Sequence, residues 1–320
     1  MNLKLTCDDA HVLKNISGVN NENIKLIEEI YKIELSLVGN NLCFNDDEEL
    51  KLKLERLFNL LIEVAKLDIN IKPRDINYIN NIVIDGKEKE YLEFLGTKKP
   101  ICYTYNNKPI YPKTLKQDEY INTLKKKDLT FSIGSAGTGK TYLAVCYAIG
   151  ELKKGNFEKI ILTRPAVEAG ESLGFLPGDL KEKVDPYLRP LYDALYDMLG
   201  FEATGVMIEK GQIEIAPLAY MRGRTLDKAF IILDEAQNAT LDQLKMFLTR
   251  LGNQSKMALT GDLSQIDLPN QKKSGLKLAI NLLHDLREVG IITFEKQDVI
   301  RHPLVSKIIK RFEKIENSEV

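Results

Sequence analysis

Gly134-Ser135-Ala136-Gly137-Thr138-Gly139-Lys140-Thr141 follows the apolar run Leu129-Thr130-Phe131-Ser132-Ile133 and leads into Tyr142-Leu143-Ala144-Val145-Cys146-Tyr147-Ala148-Ile149. The first run reads as a strand. In the second, Leu143, Ala144, Tyr147, Ala148 and Glu151 recur at helical spacing, and Gly155 is placed to end the helix. Strand, glycine turn and helix in that order make an anion cradle, because the glycines let successive N–H groups point inward and the helix dipole completes the site. In this reading Gly134, Ser135, Ala136, Gly137, Thr138 and Gly139 wrap the phosphates of a nucleoside triphosphate. Lys140 reaches the β- and γ-phosphates, and Thr141 holds Mg²⁺.

A cradle of this kind needs a carboxylate for the metal, and Ala229-Phe230-Ile231-Ile232-Leu233-Asp234-Glu235 supplies one. An uninterrupted apolar run suits a central parallel strand covered on both faces. Asp234 at its carboxyl end would reach Mg²⁺ through water, and Glu235 would orient and polarise an attacking water. The second acid separates reaction types, since a kinase passing phosphate to a bound acceptor needs no carboxylate to activate water. A hydrolase does.

The remaining strand candidates, 159–163, 212–215, 230–233, 256–260 and 291–294, alternate with helical patterns and predict a parallel sheet with helices on both faces. Ligands in such sheets sit at the carboxyl ends of strands. Three further loops fall there. Thr163-Arg164-Pro165 opens a long Gly/Pro-rich stretch in which Arg164 could touch phosphate or a nucleic-acid backbone, or form an ordinary charge pair. In Gly261-Asp262-Leu263-Ser264-Gln265, Gln265 is placed to sense the γ-phosphate and report hydrolysis to a mobile loop. Asp298-Val299-Ile300-Arg301-His302-Pro303 offers Arg301 as an arginine finger on the transferring phosphoryl group.

The first hundred residues read differently. A helix over 21–32, short strands at 33–38 and 42–44 around the Gly39-Asn40-Asn41 turn, and a long helix over 46–66 with Leu50, Leu54, Leu57, Leu60, Leu61 and Val64 on one stripe describe a small α+β module, residues 1–99. A KH-like nucleic-acid or partner surface is one reading of it and a plain scaffold is the other, because basic and aromatic clustering is slight.

Composition narrows the rest. Lys+Arg number 45 against 46 Asp+Glu, so any nucleic-acid surface is local rather than a property of the whole chain. Cys7, Cys43, Cys102 and Cys146 form no CxxC pair, and His11, His284 and His302 add no ligand spacing, which argues against a zinc site or a disulfide framework. No apolar stretch is long enough to span a bilayer and the N-terminus has no signal-like core, so a cytoplasmic location without membrane attachment is expected.

Taken in order, Pro112-Lys113-Thr114 with Gln117, the glycine cradle, the 163–178 loop, Leu233-Asp234-Glu235-Ala236-Gln237-Asn238, Thr260-Gly261-Asp262-Leu263-Ser264-Gln265 and Asp298–Pro303 resemble the PhoH family of ATPases, over roughly residues 100–310. The resemblance implies a RecA-like P-loop NTPase core, residues 100–320, similar to the first motor domain of superfamily-one helicases. It implies ATP and Mg²⁺ as cofactors, Gln117 reading the adenine edge, Gln265 as γ-phosphate sensor and Arg301 as the finger. It also implies a place in RNA metabolism, with single-stranded RNA and an endoribonuclease or ribosome-maturation factor as partners. Ser135 departs from the proline more common at that position and is compatible with the loop.

Helicases of that kind close two motor domains on one nucleotide, and this chain carries one P-loop and one Asp-Glu strand. A homo-oligomeric ring, a hexamer as the resemblance implies, is therefore expected, with Arg301 acting on a neighbour's nucleotide. Two other readings stay open: a nucleotide-gated switch with slow ATPase that binds RNA or protein, and a P-loop kinase.

Overall fold

The computed structural model describes residues 2–45, 48–165, 180–268, 273–295, 298–299, 305, 308 and 311–312. The chain divides into two units, Met1–Lys98 with Ile300–Val320, and Lys99–Val299.

The first unit begins with β1 (Asn2–Lys4), α1 (Ala10–Ser17) and α2 (Glu22–Tyr31), followed by the hairpin β2 (Leu35–Val38) and β3 (Asn41–Phe44). Three helices complete it: α3 (Glu48–Lys66), α4 (Pro73–Ile84) and α5 (Glu88–Thr97). Its sheet has the order β1-β3-β2 and both pairings are antiparallel. The leucine stripe of α3 is the core, with Leu54, Leu57, Phe58 and Leu61 fully buried beside Ile16, Ile27 and Leu42. Gly18 to Asn21 make the turn between α1 and α2, and both Asn20 and Asn21 are left-handed there.

The second unit opens with the short hairpin β4 (Cys102–Tyr103) and β5 (Pro109–Ile110), then α6 (Leu115–Lys126), β6 (Leu129–Ile133) and α7 (Lys140–Lys153). It continues through β7 (Lys159–Arg164), α8 (Leu180–Leu199), α9 (Phe201–Glu209), β8 (Ile213–Pro217) and β9 (Ala229–Leu233). The last elements are α10 (Leu241–Leu248), β10 (Lys256–Gly261), α11 (Leu276–Leu283) and β11 (Val289–Thr293).

Six of these strands form one sheet in the order β11-β6-β10-β9-β7-β8, and every pairing in it is parallel. Side chains leave a strand alternately to its two faces. Ile160, Leu162, Phe230, Ile232 and Ala258 accordingly pack against α6, α7 and α8, whereas Ile161, Ile231, Leu233, Met257 and Leu259 pack against α10 and α11. Covering both faces removes the polar alternation of a half-wet strand, which is why β9 is apolar throughout and wholly buried. The consequence for function lies in the order. β10 stands between the cradle strand β6 and the acid strand β9, so residues at its end can touch both.

Candidate functional site

The cradle is shaped by three glycines with positive φ, at +144° for Gly134, +85° for Gly137 and +83° for Gly139. Gly134 also donates its N–H to the Gly261 carbonyl (3.1 Å), tying the loop to the end of β10. A Cβ at Gly134 would lie 2.4 Å from the Phe294 carbonyl oxygen, so only glycine fits. Lys140, the first residue of α7, is buried, and its Nζ donates to the carbonyls of Gly134 (2.6 Å) and Ser135 (2.9 Å). The loop is thus folded around the ammonium, which holds it ready for an anion. Gln117 on α6 stands behind it, accepting from Lys113 N (2.7 Å) and donating to the Thr138 carbonyl (3.0 Å). Thr114 caps α6 by accepting from Gln117 N.

On the metal side, Thr141 from α7, Asp234 beyond β9 and Thr260 from β10 converge. Both hydroxyls donate to the same oxygen, Oδ1 of Asp234, at 2.6 Å each, and they lie 3.1 Å apart. Asp234 is buried, and its own N–H is held by the Thr163 carbonyl at 2.9 Å. A hydroxyl and a carboxylate in contact are hard oxygen donors of the kind that Mg²⁺ takes from a protein while phosphate and water complete its shell. Thr141 and Asp234 fit that ion.

Glu235 turns the chain sharply, with φ 52° and ψ 42°. That left-handed backbone is uncommon for a residue with a Cβ and marks a position fixed by its surroundings. Its carboxylate meets Arg164 at the end of β7, whose Nη2 lies 3.3 Å from Oε1, and it remains one-third exposed (34%). Arg164 is itself anchored through Nη1 to the Tyr187 carbonyl at 3.1 Å. Of the two readings of Arg164, the structure contains the charge pair, and its partner is the acid that the sequence had set aside for water.

Gln265 is exposed, and its side chain makes no hydrogen bond to a described residue. Its backbone is held firmly: the N–H donates to the Asp262 carbonyl (3.1 Å) and the carbonyl accepts from Gln237 (3.1 Å). Asp262 joins this loop to the cradle, because its Oδ2 accepts from Ala136 N (3.2 Å) while its Oδ1 accepts from Ser264 N (2.9 Å). Arg301 and the stretch 166–179 lie outside the described residues. Cradle, Asp234, Glu235, Gln117 and the Gln265 loop are therefore brought to one edge.

Three site residues escaped the sequence reading: Thr260, Asp262 and Gln237. All are buried polar groups, and the signal was available for two of them, since Thr260 and Asp262 sit where an apolar run meets the ligand edge, whereas Gln237 lies in the 3-10 turn Ala236–Asn238. Gln237 offered no such cue.

Residues 109–313 match the family model described as PhoH-like protein. This chain belongs to the PhoH-like family. A PhoH-like protein of Bacillus subtilis is 50% identical over 314 residues, covering 98% of this chain and 97% of that one. A PhoH-like protein of Synechocystis is 44% identical over 303 residues, covering 95% and 92%. Protein PhoH of Escherichia coli is 44% identical over 206 residues, covering 64% of this chain and 58% of its own. The matched span of this PhoH-like chain takes in the cradle, β9 and the loop after β10, and its core is that of a P-loop NTPase. No helix among the described residues is long and apolar enough to cross a membrane.

Proposed function

We propose that this PhoH-like chain hydrolyses ATP with Mg²⁺ and spends the energy on remodelling single-stranded RNA. The observation that carries the reading is the second acid: Glu235 stands one residue beyond the Asp234–Thr141 contact, one-third exposed to solvent and gripped by Arg164. That is where a water-polarising group belongs, and a kinase has no use for it.

Bound Mg²⁺ supplies charge neutralisation for the phosphates and a template for their geometry. The Lys140 ammonium exchanges the loop carbonyls for oxygens of the β- and γ-phosphates. Thr141 and Asp234 present their oxygens to the metal, with Thr260 fixing the carboxylate. Glu235 orients water in line with the bond to be broken, and Gln265 swings its amide toward the γ-phosphate. Gln117 reads the adenine edge while its amide braces Thr138. Arg301 reaches the γ-phosphate of a neighbouring copy in a hexameric ring, since a single chain has one such core. The first unit is the docking element, KH-like toward RNA or toward a protein partner such as an endoribonuclease of ribosome maturation, in the cytoplasm.

Glu235→Gln should bind ATP with near wild-type affinity and lose turnover by about 10²- to 10⁴-fold, the usual worth of a positioned base. Hydrolysis at the wild-type rate in that variant would end the assignment. Turnover raised by single-stranded RNA supports a motor. ATP-dependent capture of RNA or protein without such stimulation supports the switch instead.

A further inference from the structure

Gln237 has no exposed surface and no role in the chemistry described so far, yet it touches three parts of the site at once. Its Nε2 donates one hydrogen to Oε2 of Glu235 and the other to the carbonyl of Gln265 (3.1 Å), while its Oε1 accepts from the N–H of Asp262 (3.0 Å). Both donors and one acceptor are used, so the amide has one workable orientation. Turned over, its oxygen would face a carboxylate and a carbonyl, and its NH₂ would face an N–H. The neighbouring residue repeats the pattern: Asn238 Oδ1 accepts from Asp267 N at 2.8 Å. Gly261 leaves room for this, as a Cβ there would stand 3.0 Å from Gln237 Oε1.

We infer that Gln237 is the positioning residue that ties the Glu235 carboxylate to the 262–267 loop, so that the water-polarising acid and the loop carrying Gln265 move as one body. The inference rests on the ATPase reading above. Arg164 holds Oε1 of Glu235 and Gln237 holds Oε2, which leaves the carboxylate one pose. Because Asp262 also holds Ala136 N, the same amide links the acid to the cradle. A loop displaced by the γ-phosphate therefore pulls on Glu235 through a direct, part-buried hydrogen bond. Loss of the amide removes the partner of the buried Asp262 N–H and leaves Glu235 held by Arg164 alone.

The test uses the full chain as wild type, Gln237→Leu, Gln237→Glu and Lys140→Ala, measuring affinity for a fluorescent ATP analogue, thermal midpoint and kcat. Gln237→Leu keeps the volume and removes the bonds; it should bind nucleotide within about twofold of wild type and lose kcat about 100-fold, the scale of a misplaced reacting group. Gln237→Glu keeps the size but sets oxygens in place of the N–H donors, against the Glu235 carboxylate and the Gln265 carbonyl. Its kcat should fall at least as far as that of Gln237→Leu while nucleotide affinity is kept, a split that a packing role would not create in an isosteric side chain. The relay is overturned if Gln237→Leu keeps kcat within about twofold of wild type, or, where that variant does not fold, if the isosteric Gln237→Glu keeps kcat within about twofold of wild type. Wild type no faster than Lys140→Ala would overturn the ATPase reading itself and the relay with it.

Discussion

At Gly134 the backbone adopts φ +144° with the Phe294 carbonyl pressed against the place of a side chain. Gly134→Ala should therefore destabilise the fold by about 2 kcal/mol or more, joining a conformation that L residues avoid to a backbone clash. An unchanged urea midpoint would show that the loop relaxes without cost. The role of this glycine was legible in the sequence because a phosphate cradle must bend there. Its second role was not, for nothing near Gly134 in sequence announces Phe294. Gln237 makes the same point more sharply. Glu235 could be assigned from its neighbour Asp234, whereas Gln237 acquires its meaning from Asp262 and Gln265, some 25 and 28 positions away.

At the scale of elements, all six strands of the parallel sheet were readable, since each is an apolar run bounded by turn residues. Two had shifted bounds: β8, read over 212–215 and observed over Ile213–Pro217, and β11, read from Ile291 but beginning at Val289. Gly290 looks like punctuation in a sequence. In the structure it is the close approach of α6, where a Cβ would lie 2.3 Å from Thr123 Cγ2. The segment just past β11 is fastened to the start of α6: Asp298 accepts from Glu295 N (2.9 Å) and bonds the Thr114 side chain. Burial raises the Asp298 pKa above the ordinary carboxylate value, the Glu295 and Thr114 bonds opposing it. A raised carboxylate contributes stability that is complete below its unfolded pKa and is lost as pH rises through the folded one. Wild-type stability relative to Asp298→Asn should thus decline from about pH 4 toward neutrality. Parallel stability curves for the two proteins over that range would refute the shift.

For the whole molecule, the decisive number is one: a single P-loop and a single Asp-Glu strand per chain. If the nucleotide sits between copies, mixing Arg301→Ala with Lys140→Ala subunits should restore part of the activity that each lacks alone, because some interfaces then pair an intact cradle with an intact finger. Mixed rings with no recovered turnover would exclude an arginine acting across the interface, and a monomeric solution mass would exclude the ring. The sequence reading divided the chain at residues 99 and 100 by a change of pattern, where helix and hairpin give way to alternating strand and helix, and gave 100–320 to one domain; the structure groups Ile300–Val320 with the first unit. The N-terminal strand β1 was not, being three residues long and paired with β3 some forty positions away.

The sequence by itself determined the glycine loop, the Asp234-Glu235 pair and the strands that carry them, because each depends on residues within a few positions of one another. Only the tertiary structure decided that β10 lies between β6 and β9, and with that which groups meet. Thr260 touching both Thr141 and Asp234, Asp262 on the cradle, and Gln237 between acid and loop are all consequences of strand order. Order is set by how both faces of the sheet are buried, a condition on the whole chain that no local stretch encodes.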